Sequence, residues 1–192
     1  MTTPAKVLAA ADVRRLLGHV RRGRCSVRDQ VIVMLSFKAG LRACEIAGLD
    51  WTMVLAPSGK VASSLLIRGD IAKYGRSRHL PLHPDLKAAL ERLHVTAGRP
   101  KSGAVIVSQR GGHLRPRSVV NWFSEIYREL GFGGCSSHSG RRTFITQSAR
   151  LISRAGGSLR DIQELAGHRS LTTTERYIEG DREAQRKLVS ML

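Results

Sequence analysis

Aromatic residues are scarce in this chain, at 5% of its 192 positions, which argues against a platform of stacked rings for single-stranded nucleic acid. Its three cysteines, Cys25, Cys44 and Cys135, are odd in number and show no CxxC spacing. That excludes a disulfide framework and a zinc knuckle as sources of stability, and it fits a reducing cytoplasm. The longest apolar run, Val31 to Leu35, is broken by Ser36 and Lys38 and is far too short to span a bilayer. The N-terminal MTTPAKVLAAADVRR lacks the apolar core of a signal peptide, so neither secretion nor a membrane-embedded segment is expected. There is no P-loop, no carboxylate cluster and no solenoid repeat.

Acidic residues are also in short supply, 15 against 32 Lys and Arg, leaving a net charge of +17. Such a field concentrates polyanions and weakens with salt. Duplex DNA is the first partner it suggests and an anionic membrane surface the second. With 42% apolar residues the chain can bury a proper core, and no linker interrupts it, so one domain over residues 1–192 is expected.

Periodicity and end signals outline the elements. Helices are expected over Asp12 to Val20, Val27 to Ala39, Arg42 to Ala47, Pro84 to His94 and Arg117 to Leu130. Strands are expected over Ser63 to Arg68 and Arg78 to Leu82, flanking a polar tip, with a short third strand over Ala104 to Ser108. The last third reads as helices from Arg141 to Arg154, from a Ser158–Asp161 capping box to Ala166, from Thr172 through Tyr177, and over a tail from Asp181 to Leu192. The fold class is mainly α with one small antiparallel sheet.

Two arginines then fall in apolar positions. Arg42 lies in line with Ile46 and Leu49, with Glu45 beside it; Arg141 sits at the centre of the stripe formed by Phe144, Ile145, Ser148 and Ile152. Arg142 points a quarter-turn away, toward solvent or DNA backbone. Arginine is rarely buried unless it is paired or binds an anion. Both could be structural, held by Glu45, carbonyls or helix ends, or they could share one phosphate, a task that suits the planar guanidinium. His138 stands three residues before Arg141, His168 follows Leu165-Ala166-Gly167, and Tyr177 comes nine residues later.

The set Gly40-Leu41-Arg42-Ala43-Cys44-Glu45-Ile46, His138-x-x-Arg141, Leu165-Ala166-Gly167-His168 and Tyr177 resembles the tyrosine recombinases, the phage-integrase family. Lys73-Tyr74-Gly75-Arg76-Ser77-Arg78-His79-Leu80-Pro81-Leu82 is similar to that family's GKGxKxRxVPL segment, which puts Lys73 at its catalytic lysine. The resemblance runs from about Val7 to Ile178. It implies the integrase catalytic-domain fold, with Arg42, Lys73, His138, Arg141, His168 and Tyr177 as active-site residues. Glu45 would orient Arg42, and Arg76, Arg78 and Arg142 would contact DNA. Three departures stand out: Gly140 replaces a packing leucine, Arg142 an auxiliary histidine and Tyr74 a glycine. The resemblance is to the short members of the family, without the N-terminal core-binding domain that most relatives carry, or else to a remnant or fragment of a longer one.

The implied reaction is DNA strand exchange through a 3′-phosphotyrosine, for integration, excision or inversion. It calls for no cofactor and no metal. The implied assembly is a tetramer on two DNA sites with the tail docked on a neighbour, monomeric off DNA, with a partner recombinase or accessory protein able to supply the half of a clamp around DNA that a core-binding domain provides. The implied setting is the bacterial cytoplasm, at the nucleoid. The rival readings are a non-catalytic DNA-binding accessory on the same scaffold, which gives no reason to keep Lys73 and Tyr177, and strand relaxation of the type IB topoisomerase kind.

Overall fold

The computed structural model describes residues 4–177 together with Arg186, Val189 and Ser190. The expected tail helix over 181–192 therefore falls almost wholly outside the described residues. Among the described residues the order is α1 (Ala10–Val20), α2 (Ser26–Lys38), α3 (Ala43–Gly48), a 3-10 turn (Trp51–Met53), β1 (Ser64–Ile67), β2 (Arg78–Pro81), α4 (Pro84–Thr96), α5 (Pro116–Glu129), α6 (Ser139–Leu151), a 3-10 turn (Ile152–Ala155), α7 (Leu159–Ala166) and α8 (Leu171–Glu175). None of the helices is long and apolar enough to cross a membrane.

α2 is apolar on every side because it is packed on every side, by α1, α3, α4 and α6. Val31, Ile32, Val33 and Leu35 are almost wholly withdrawn from solvent, each contributing about 1.5–3 kcal/mol through burial. β1 and β2 pair antiparallel with Leu65 opposite Leu80 and Ile67 opposite Arg78. Alternation puts Leu65, Ile67 and Leu80 into the core. Proline opens α4 and α5, where its missing N–H is no loss. The Ser158–Asp161 capping box opens α7 as expected, with Asp161 accepting from the Ser158 backbone N–H at 2.7 Å.

Two expectations about elements are corrected. Residues 104–108 are not a strand: Ala104 bridges only Asp50 and Val107 only His113, so no neighbour runs alongside to extend the ladder. Tyr177 is not inside a helix. α8 is capped by Ser170, whose hydroxyl accepts from Thr172 N at 3.2 Å, and it ends at Glu175, leaving Tyr177 in the turn that follows.

Buried apolar residues form a main core, which includes Trp51, Phe123 and α2, and a smaller cluster of Ile145, Ile162 and Ala166 with Phe144, Leu159 and Tyr177 against it. The two meet where α6 crosses α2. That crossing explains a departure from the family pattern. A Cβ at Gly140 would stand 2.1 Å from Ser36 Oγ and 2.9 Å from Phe37 Cδ2, so the helices approach too closely for a side chain. Gly140→Ala is expected to cost about 1–3 kcal/mol, read as a lower urea midpoint, although alanine is the better helix former. Ser36→Ala removes the nearest atom, a buried hydroxyl without a partner, and should return part of that loss in the double variant. Equal midpoints for Gly140→Ala and wild type would show that the helices can part freely.

Candidate active site

The site is built around a carboxylate. Glu45, in the first turn of α3, has no exposed surface. Arg78 reaches it with a fork, Nη1 donating to Oε1 at 2.8 Å and Nη2 to Oε2 at 2.9 Å. The Arg42 backbone N–H donates to Oε2 at 2.9 Å, while its guanidinium makes only a long contact of 3.4 Å to Oε1. Burial pushes the Glu45 carboxyl up, but the hydrogen bonds and charge of Arg78, with those of Arg42, outweigh it and hold the carboxyl below its usual range. Glu45 does touch Arg42 as expected, yet its main partner is Arg78.

Arg78 is thereby corrected. Expected as a DNA contact, its side chain is 9% exposed and faces inward, with Nε donating to Leu165 O at 3.2 Å. The strand pattern carries the signal: Arg78 shares its face with buried Leu80, opposite to exposed His79 and Pro81.

Arg141, 4% exposed, uses Nη1 to cap the Gly40 carbonyl at 2.6 Å and Nη2 to cap that of Ala166. It is held by carbonyls at two helix ends, where a cation is favoured, and it still lines the cavity described below. The two readings of this arginine are therefore compatible. Burial and the neighbouring Arg42 pull its pKa down to about 10, which leaves it charged at neutral pH.

α7 ends at Gly167, in the left-handed region, and the next residue is His168. The His168 imidazole is anchored at Nδ1 by Thr174 Oγ1 at 3.0 Å, so Nε2 is the nitrogen left for a ligand. Its ring stacks on that of Tyr177 at 5.6 Å and 20°. Tyr177 is held from behind as well, its N–H donating to Thr174 O at 3.0 Å and its carbonyl accepting from Thr146 Oγ1 at 3.4 Å. Arg142 is corrected too. Partly exposed, it does not point away from the site: its guanidinium carbon lies 5.8 Å over the Tyr177 ring and its Nε is buried without a partner.

Arg42, Lys73, His138, Arg141, His168 and Tyr177 all line one cavity of about 610 Å³. Arg142 and Arg169 share it, so five cations and no carboxylate line the space. Arg76 borders the adjoining cavity, along the hairpin and α7. Sequence reasoning missed Thr174, Arg169 and the posture of Tyr74. That tyrosine takes φ +75°, where glycine is at ease, and its ring lies 5.1 Å from Lys73 Nζ and 5.6 Å from the Arg169 guanidinium carbon.

A cavity edged by paired arginines, two histidines, a lysine on a hairpin tip and a tyrosine defines a class. Residues 6–183 match the model of the phage integrase family, and the chain belongs to that family. Among its relatives is the tyrosine recombinase XerC of Bradyrhizobium diazoefficiens, 34% identical over 183 residues, 93% of this chain and 53% of the relative. The tyrosine recombinase XerC of Actinobacillus succinogenes is 32% identical over 172 residues, 88% of this chain and 55% of the relative. The chain thus spans about half the length of these relatives. The fold is similar to that of XerA recombinase, with a TM-score of 0.75 at 20% identity over all of this chain and 66% of that one. It is also similar to the Tn1549 transposon integrase in complex with transposon right end DNA, at TM-score 0.75, 17% identity, all of this chain and 67% of that one.

Burial, then the charges of Arg141, Arg42 and Arg78, push the His168 pKa down to about 4, and burial with Arg141, Arg42 and Lys73 pushes His138 down as well. Between pH 6.5 and 4 the unfolded chain takes up a proton that folded His168 refuses. The unfolded state binds more protons there, so stability falls as pH drops through that window. The urea midpoint is expected to decline from pH 7 to pH 4.5, and to decline less in His168→Gln. An equal decline in both would show that His168 is not kept neutral by the fold.

Proposed function

We propose that this chain acts as a site-specific tyrosine recombinase that cleaves and rejoins duplex DNA, with residues 1–192 forming one catalytic domain around a core at 7–178, in a bacterial cytoplasm, at the nucleoid. The observation that carries this reading is the convergence of the six expected residues on one cationic cavity, with Tyr177 supplied by the same chain.

Tyr177 Oη attacks the scissile phosphorus, a P–O bond to tyrosine forms, and the bond to the 5′-oxygen breaks. Arg42 and Arg141 hold the non-bridging oxygens as charge builds on them. Removing either is expected to cost about 3–4 kcal/mol of transition-state stabilisation. Lys73 gives its proton to the leaving 5′-oxygen. His168, neutral and fixed by Thr174, and His138 hydrogen-bond the phosphate and take the proton that Tyr177 Oη gives up. Arg142, over the Tyr177 ring, holds that ring in place beside the phosphate. A 5′-hydroxyl of a second strand then reverses the step, so the phosphotyrosine conserves the bond. Arg76, on the hairpin beside the cavity, contacts the DNA backbone.

Tyr177→Phe is expected to bind a duplex site like wild type and to leave no SDS-resistant adduct on a nicked substrate; an adduct of undiminished yield removes Tyr177 from this role. Lys73→Ala should be inactive on ordinary DNA and recover when the 5′-bridging oxygen is sulfur, which leaves without a proton. If the thio-substrate restores nothing, Lys73 serves binding alone.

The assembly we propose is four protomers on two duplex sites, each held by the 181–192 segment of its neighbour, a heterologous contact that closes into a ring. Deleting 181–192 should leave DNA binding by the single protomer intact and abolish pairing of two sites. Recombination at full rate by the truncated chain refutes the ring.

A further inference from the structure

We infer that Arg78 is a positioning residue: by neutralising Glu45 it keeps the guanidinium of Arg42 available for phosphate. The inference deepens the recombinase reading, because it rests on Arg42 as a phosphate ligand.

Glu45 is wholly buried, and a buried carboxylate takes the nearest cation within reach. Two arginines are within reach. Arg78 makes two short parallel bonds, the geometry in which a guanidinium satisfies both carboxylate oxygens at once. Arg42 makes one long contact at 3.4 Å and lines the cavity, whereas Arg78 does not line that cavity. The division of labour is set by the backbone. Arg78 is fixed on β2 opposite Ile67 and tied by Nε to Leu165 O, so its fork has no other place to turn. Arg42, three residues before Glu45 and at the mouth of α3, can turn either to the carboxylate or to the cavity.

Take Arg78 away and the balance reverses. Glu45 then has one ion-pair partner left, and Arg42 closes the gap to become its bidentate partner. Its guanidinium leaves the phosphate position while the protein still carries all six active-site residues. The fault should therefore be curable by removing the charge of Glu45. Glutamine at 45 keeps an oxygen for the Arg42 backbone N–H, so the start of α3 is preserved.

The test reads Arg42 directly. The Nε–H resonance of Arg42 is followed by NMR while inorganic phosphate is added to wild type, Arg78→Gln, Glu45→Gln and the double variant. Phosphate affinity is expected to fall about tenfold in Arg78→Gln, the worth of one charge-assisted contact, and to return to within about threefold of wild type in the double variant. Glu45→Gln alone should bind phosphate at least as well as wild type. If Glu45 instead serves to aim Arg42 at the phosphate, Glu45→Gln weakens binding, and that result overturns the inference. So does a double variant as weak as Arg78→Gln, or an Arg78→Gln that binds like wild type. Should Arg78→Gln not fold, Arg78→Lys takes its place: one ammonium cannot satisfy both oxygens, so binding falls severalfold and Glu45→Gln restores it, and unchanged binding overturns the inference. A wild-type Arg42 resonance that ignores phosphate overturns both this inference and the catalytic reading, whereas a response that survives loss of Arg78 overturns the inference alone.

Discussion

A carboxylate stripped of water must be matched by cations, and in this protein the match at Glu45 organises everything around it. Its fork to Arg78 joins the first turn of α3 to the β hairpin, and the Nε of the same arginine joins the hairpin to the C-terminal end of α7. Arg141 makes a second joint of the same kind, from α6 to the ends of α2 and α7. Leu165 and Ala166, neighbouring carbonyls at one helix end, are thus both capped by guanidinium groups. His168 follows two residues later and inherits its place from those caps.

This arrangement explains why so much positive charge can be gathered without the site springing open. Arg42, Lys73, Arg141, Arg142 and Arg169 line one space, and repulsion among them opposes folding. The repulsion is absorbed locally by carbonyl dipoles, by one carboxylate and by aromatic faces, those of Tyr74 and Tyr177. What remains uncompensated is directed into the cavity. The arrangement suits an anion, and the neutral histidines beside it contribute hydrogen bonds without adding further charge.

The six residues of the candidate site were legible in the sequence because each lies in a short local pattern, and the helices were legible because their apolar spacing and caps are local too. The failures share one cause. Arg78 reads as a surface cation because its partner lies 33 positions away, and only the pairing of β1 with β2 turns it inward. Arg142 reads as solvent-facing on a helical wheel because a wheel ends with its helix; the turn after α8 brings Tyr177 back over it. Residues 104–108 carry the apolar content of a strand, but a strand needs a neighbour, and here there are only single bridges. Gly140 looked like the loss of a packing leucine and is instead the place where two helices touch.

The division into two clusters of buried residues has a consequence for heat. Tyr177 and His168 are carried by the smaller cluster, built on Ile145, Ile162 and Ala166, whereas Arg42 and Lys73 are carried by the main core. Small clusters open at a lower free energy than large ones, and they open as units. On warming, the segment bearing the tyrosine is therefore expected to loosen from Arg42 and Lys73 before the body of the protein melts. Loss of the site's geometry and global unfolding are then expected as separate events along the temperature axis, the interval between them set by the guanidinium clamps that tie the lesser core to the greater.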